Sequence, residues 1–549
     1  MATTGATPDP GLLRYVPADT PYVFAMVDPL PEDVADKFEP KLDLMLKSYQ
    51  DLLRKIVQTP AAEGADSDEG VSEQGAALLN ELAGLLSVDG IRAAGIDRDS
   101  TVVLYGSGLL PVMRMTLSDG DLLEATISRM EEAADQRMLS ASIDGQVYRY
   151  AGDDEARFIV AVAEDELVLT IVPADLSEGL LKNVLGLTAP SSSIADTGEL
   201  QKIIADNGFL SHSIGLIDVE RVVATFLDDQ SGVNAELLRL MEYDGSVLSG
   251  VCKSEIRAMS AAAPRVITGY TEMSTERFTS NTIIELRSDL AAGLAGLSAP
   301  VPGLGSEQGG LFAFGMSIDM LAAREFYSAR LDALEADPFE CELFAELQEG
   351  VSAGRQALNQ PVPPIVYGFK GFLAVVEDIR GMDLAKKQPP TSADLRLLIS
   401  TDNAEGLLEM GAMFSPEIAA LDLQPDGKPV RLESPQLAGV VDSAHVAMSQ
   451  NALAVSIGAG TEARLGDMLT ADFNQPPPFF SMEMDAARYY EFVGQAVTDD
   501  DAEDKVSPEL KAAIDDMMGV VGDMFSRMTV DIAFTERGIE FPSTIVLAE

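Results

Sequence analysis

One strand–turn–strand–helix theme is written twice in this chain. Val160-Ala-Val-Ala-Glu-Asp-Glu-Leu-Val-Leu-Thr-Ile-Val172 runs into an apolar-spaced Leu176–Leu185. Val446-Ala-Met-Ser-Gln-Asn-Ala-Leu-Ala-Val-Ser-Ile457 runs into Thr461–Leu469. The two copies stand 286 residues apart in a chain of 549. A period of about half the chain predicts two related lobes, because solenoid repeats are roughly 20–50 residues long.

Other pairs keep a similar offset. Arg114–Glu124 resembles Arg396–Glu409, each an alternating strand, a polar turn and a helix. Arg265–Phe278 leads into Asn281–Leu286 much as Arg527–Gly538 leads into Ser543–Leu547, which predicts a closing hairpin in each half. A smaller unit recurs four times: an apolar strand, an Asp, then a helix. The aspartates are Asp28, Asp218, Asp319 and Asp485. After them come Glu32–Phe38, Val219–Leu227, Met320–Leu331 and Ala486–Val497. Asp is a preferred N-cap, since its carboxylate accepts a free backbone N–H of the first turn, so these four are read as structural caps. The expected fold is therefore α+β. It consists of two related lobes from internal duplication, each a largely antiparallel sheet with helices packed on one face. Residues 1–11 read as a flexible tether, 12–290 as the first lobe, and 309–549 as its repeat. The Gly-, Ala-, Pro- and Ser-rich stretch 291–308 reads as the linker between them.

Length and composition agree with two globular lobes. Single cores stop growing near roughly 250–300 residues, and 46% of this chain is hydrophobic. No uninterrupted apolar run reaches the ~18 residues of a membrane-spanning helix. Met1–Pro10 has neither the basic start nor the apolar core of a leader. The charge is extreme. Against 89 acidic residues stand 38 basic ones, only 13 of them Lys, which leaves −51. Such a field repels phosphate backbones and anionic headgroups, so nucleic acid is not an expected partner. Self-repulsion of this size favours unfolding unless salt screens it, which points to a salt-adapted source.

Candidate chemistry is sparse. The two histidines, His212 and His445, come with no HExxH or Cys/His metal spacing and no GxSxG elbow. They read as structural. Gly303, Gly305, Gly309 and Gly310 do not sit between a strand and a helix, so no nucleotide fingerprint is read there. The acidic loop Asp499, Asp500, Asp501, Glu503 and Asp504 has the oxygen ligands calcium takes, but lacks the EF-hand glycine and ligand spacing. It reads as a solvated loop, as does 59–74. No catalytic residue, cofactor or metal is assigned. Met517, Met518, Met524 and Met528 read as a core face. Cys252 and Cys341 fall in different halves, and the residues alone leave a disulfide and two separate buried thiols equally open.

Two segments carry a resemblance. Leu13-Arg-Tyr-Val-Pro-Ala-Asp-Thr-Pro-Tyr-Val-Phe24 resembles the opening of uncharacterised bacterial envelope proteins with a Pro-Ala-Asp-Thr signature. Gly95–Asp99 through Val102–Val112 resembles a second segment of such proteins. The resemblance implies a periplasmic protein or lipoprotein, anchored at a native N-terminus, with Cys252 and Cys341 paired as a disulfide. It supplies no catalytic residues. The function expected is a non-enzymatic binding or scaffold module for a protein, peptide or lipid-like partner. The alternatives are a carboxylate- or metal-dependent hydrolase of the envelope and a subunit of an envelope assembly.

Overall fold

A strand ending in an acidic cap and turning into a helix is the local unit from which this fold is assembled. A computed structural model describes residues 11–58, 73–228, 232–381, 391–433, 443–490 and 508–548. Strand Ser213–Asp218 turns into helix Val219–Leu227, and the Asp218 carboxylate accepts the Arg221 N–H at 2.8 Å. Strand Phe312–Ser317 leads to helix Met320–Ala336, whose cap Asp319 accepts from Leu321 and Ala322. Asp485, at the end of strand Phe480–Asp485, accepts from the Arg488 N–H at 3.1 Å.

The fourth unit differs from its expectation. Asp28 caps no helix and accepts instead from the Ser211 hydroxyl at 3.2 Å. Pro29 and Pro31 hold the preceding residues extended, so the helix starts later, at Glu32, with the Pro31 carbonyl taking the Ala35 N–H. That helix also runs well past Phe38, to Gln58, with Pro40 inside it.

The chain divides into two units, residues 1–280 with 507–520 and residues 281–506 with 521–549. In the first, strands among the described residues pair antiparallel in the order Arg265–Met273, Ser213–Asp218, Tyr22–Met26, Val102–Ser107, Leu110–Thr116, Glu166–Pro173, Ala156–Ala163, Gln146–Gly152, Leu139–Ile143. Both faces of this sheet are covered, not one. On one face Leu123, from helix Gly120–Ala133, packs with Val160 and Leu167. Their strand neighbours Ile159 and Val168 point the other way and are equally buried. That second face carries the 3-10 turn Gly11–Tyr15 and helix Glu178–Leu185. Strands with apolar residues on both alternations require two covering layers.

In the second unit the antiparallel order is Gly538–Leu547, Phe525–Thr535, Phe480–Asp485, Phe312–Ser317, Phe369–Arg380, Ser392–Thr401, Ala452–Ile457, Ala444–Met448, Val430–Arg431. Residues 291–308 do not form an exposed linker here. Ser288–Ala295 is helical, and Val301 and Leu304 sit in the core with Leu373, Val375 and Leu398. Small residues let this segment lie close on the sheet, while its few large apolar side chains fill the core.

Candidate functional site

The long helix Glu32–Gln58 places Phe38 and Leu42 on one side, one turn apart, above the end of strand Tyr22–Met26. Helix Val88–Ala93 brings Ile91 to the same place. Between them lies a cavity of about 240 Å³, lined by Met26, Leu30, Phe38, Leu42, Ile91 and Ile96. Phe38 is braced edge-on by Phe278, ring centroids 5.8 Å apart. The mouth is charged. Arg92 Nη2 donates to both Glu39 carboxylate oxygens at 2.7 Å, and Arg98 Nη1 donates to Asp36 at 2.8 Å. Mostly apolar walls with a few placed polar groups are the usual make-up of a small-molecule site.

A second cavity, of about 270 Å³, has a different chemistry. Its walls include Tyr15, Tyr105, Ser107, Thr188 and Asn234, with Asp19 at the edge. Behind it stands Arg114, only 1% exposed. Arg114 Nε donates to the Tyr105 hydroxyl at 3.2 Å and its Nη2 to the Val184 carbonyl at 2.8 Å. Its guanidinium lies 3.9 Å from the centre of the Tyr15 ring. Glu166 accepts from Arg14 at 2.5 Å and lies 3.8 Å from Arg114. Burial pushes the Tyr105 phenol up, against the pull of Arg114.

The residues singled out in the sequence fall away from these cavities. Asp218, Asp319 and Asp485 act on helix N-termini. Burial works against the charge on Asp319, but the Ala322 N–H and the Lys370 ammonium hold its carboxyl below the usual range. Asp499, Asp500, Asp501, Glu503 and Asp504 lie outside the described residues. Among the described residues no three His, Cys, Asp or Glu gather as a metal ligand set. No helix among them is long and apolar enough to cross a membrane. Cys252 and Cys341 are both disulfide-bonded, and neither is a free thiol. A thiol titration of the denatured, unreduced chain is expected to give none, and two after reduction. A reactive thiol before reduction would refute the bonded state.

His445 has a suggestive neighbourhood. Its Nδ1 lies 3.9 Å from Glu462 Oε2, and Ser456 is its cross-strand partner. All three polar atoms are buried without a hydrogen-bond partner. Ser456 is 0% exposed, however, so its hydroxyl cannot meet an external substrate in this conformation. Burial also raises the Asp531 carboxyl, but Asp531 lines neither cavity. His212 Nδ1 is likewise buried and unpaired.

Fold and site together define an α+β protein of two antiparallel-sheet units, the described residues of the first holding an apolar cavity and another of mixed lining. No family model, curated protein or solved structure matches the chain.

Proposed function

We propose that this chain is a non-enzymatic envelope protein that binds a lipid-like molecule in the apolar cavity beneath the long helix. The observation that carries this is the lining itself: six large apolar side chains closed by Arg92 and Arg98. An acyl chain fits that pattern, because each buried methylene contributes about 0.8 kcal/mol. An eight-carbon chain would then supply roughly 6 kcal/mol. Its carboxylate or headgroup would meet the arginines at the mouth. The periplasmic or outer-membrane setting and the lipid anchor rest on the Pro-Ala-Asp-Thr resemblance, and the salt-adapted source on the charge of −51.

The two units are, in this reading, copies of one ancestral module. Support comes from their strand orders. Arg265–Met273 corresponds to Phe525–Thr535, Ser213–Asp218 to Phe480–Asp485, Tyr22–Met26 to Phe312–Ser317, and so on outward. Support comes also from two residue pairs. Asp218 and Arg221 match Asp485 and Arg488, each arginine being the third residue of the capped helix. Arg114 and Arg396 are both buried on corresponding strands. A second reading, a subunit of an envelope assembly, is favoured by the outermost strand Leu139–Ile143, whose Leu139 is exposed.

cis-Parinaric acid, a fatty acid that fluoresces in apolar surroundings, tests the binding. Saturable fluorescence is expected with the intact protein, and Phe38→Asp should weaken it at least tenfold, or by about 1.4 kcal/mol. Arg98→Glu should weaken the acid but not the corresponding alcohol. Absence of saturable binding, or equal binding by Phe38→Asp, would sink the proposal.

A further inference from the structure

Helix Gly120–Ala133 covers its sheet face at the end where Val160 and Leu167 lie, and the rest of that face is uncovered among the described residues. The strand registers set Phe24 beside Leu104, Leu104 beside Met113, and Met113 beside Leu169. Two residues further along, Ile171 stands beside Phe158, and Phe158 beside Ala151. All of these share the alternation of Val160 and Leu167, so they form one surface. On it Phe24 is 39%, Leu104 38%, Phe158 41% and Ile171 54% exposed. Single exposed apolar residues are ordinary, but a contiguous set of them marks an interaction surface.

The same surface is nearly free of charge. From Tyr22–Met26 across to Gln146–Gly152, six neighbouring strands place one charged side chain on this alternation, Arg149. Glu124 holds it at 2.5 Å and Glu131 at 3.7 Å. The opposite alternation of these strands carries Arg114, Arg157 and Glu166, so the omission belongs to this face. Depletion of charge is what distinguishes the centre of a protein interface. Strands roughly 4.8 Å apart make the face about 24 Å wide, the length of a helix of about 16 residues.

Its rim decides the partner. The turn beyond Ala151 and Phe158 carries Asp153, Asp154 and Glu155, all exposed. The Glu155 carbonyl accepts from the Ala174 N–H at 3.0 Å, which brings the exposed Asp175 to the same edge. Arg157, on this hairpin, is turned to the other face, 5.2 Å from the centre of the Tyr150 ring. A second copy of this chain would bring another charge of −51 against the face, and anionic headgroups are repelled in the same way. We propose that this face docks a basic amphipathic helix of another protein, apolar side chains on the sheet and Lys or Arg toward the acidic edge. The apolar cavity plays no part in it.

Fluorescence anisotropy on the intact protein tests the docking, with a labelled Leu/Lys amphipathic peptide of about 16 residues in about 0.15 M NaCl. The control has the same composition with its leucines spread around the helix. The amphipathic peptide should bind saturably and at least tenfold tighter than the control. Ile171→Asp adds a negative charge, so attraction by charge alone would strengthen, whereas docking on the apolar face should weaken at least tenfold. Phe158→Ser, which leaves the charge alone, should weaken it likewise, and unchanged melting temperatures show both variants folded. Asp154→Lys with Glu155→Lys should weaken binding about threefold and flatten its salt dependence. cis-Parinaric acid should bind Ile171→Asp as it binds the parent, which separates this face from the cavity. The inference is overturned if the control peptide binds equally, or if Ile171→Asp binds as tightly as the parent. It is overturned too if light scattering in molar NaCl shows a dimer that Ile171→Asp abolishes, or if phosphatidylcholine vesicles capture the parent and not that variant.

Discussion

Arg114→Met is expected to destabilise the first unit by about 3 kcal/mol or more. The side chain is among the largest fully buried ones in the protein. Its removal deprives the Val184 carbonyl of a charged donor and leaves Glu166 with Arg14 as its remaining cation. It also takes the guanidinium off the Tyr15 ring. Methionine refills most of the volume, so the loss would come from polar groups left unmatched in a poorly solvated place. Arg114→Lys should recover only part of it, since a point charge cannot serve Tyr105 and Val184 at once. Arg396→Met in the second unit removes a 2.6 Å bond to Glu377, but Glu377 keeps Arg464 at 2.9 Å. Its cost should be smaller. Urea unfolding of the three variants measures this, and a loss under about 1 kcal/mol for Arg114→Met would show the buried guanidinium to be dispensable.

The melting temperature should rise by on the order of 10 °C between dilute buffer and molar NaCl. Two like charges 10 Å apart in water repel by roughly 0.4 kcal/mol. With a net charge of −51 the sum reaches several kcal/mol in dilute buffer. The screening length falls from about 30 Å at 0.01 M to about 3 Å at 1 M, which removes most of that sum. For units of this size each kcal/mol moves the midpoint by roughly 2–4 °C. Sodium sulfate, matched for ionic strength, screens charge equally but is more strongly excluded from the protein surface, so an equal rise in both salts marks screening and a larger rise in sulfate marks exclusion. A midpoint that stays flat or falls with NaCl would remove the case for salt adaptation.

Much of the local architecture was legible in the residues. The alternation of Ser213–Asp218 and Phe480–Asp485, each ending in Asp before an amphipathic run, marked both the strand and its cap. The hairpin of Phe525–Thr535 with Gly538–Leu547 followed from β-branched runs around a turn. What misled was punctuation. Asp28 reads as a cap, yet Pro29 and Pro31 hold the chain extended until Glu32 and leave its carboxylate to the Ser211 hydroxyl. The run after Asp28 reads as Glu32–Phe38, although amphipathic packing carries the helix on to Gln58. The Gly- and Pro-rich stretch 291–308 reads as a linker, and only its sparse Leu297, Val301 and Leu304 hint that it is core. The cavities left no local signal. Phe38 and Ile91, or Tyr105 and Asn234, come from separate elements, and only the folded sheet brings them together.

The long helix has a mechanical consequence. Its 27 residues make a rod about 40 Å in length. Only the part up to Leu42 roofs the apolar cavity. The rest is tied to helix Glu73–Leu85, with Gln50 donating to the Ala83 carbonyl at 2.5 Å, and turns Leu44 and Ile56 outward. Pro40 has no N–H to offer the Asp36 carbonyl one turn back, and the Asp36 carboxylate is what Arg98 grips. The rod is therefore weakest where it crosses the cavity mouth. A load on its outer arm would be felt as bending at that fulcrum, so the two arms act as a lever whose short end is the roof.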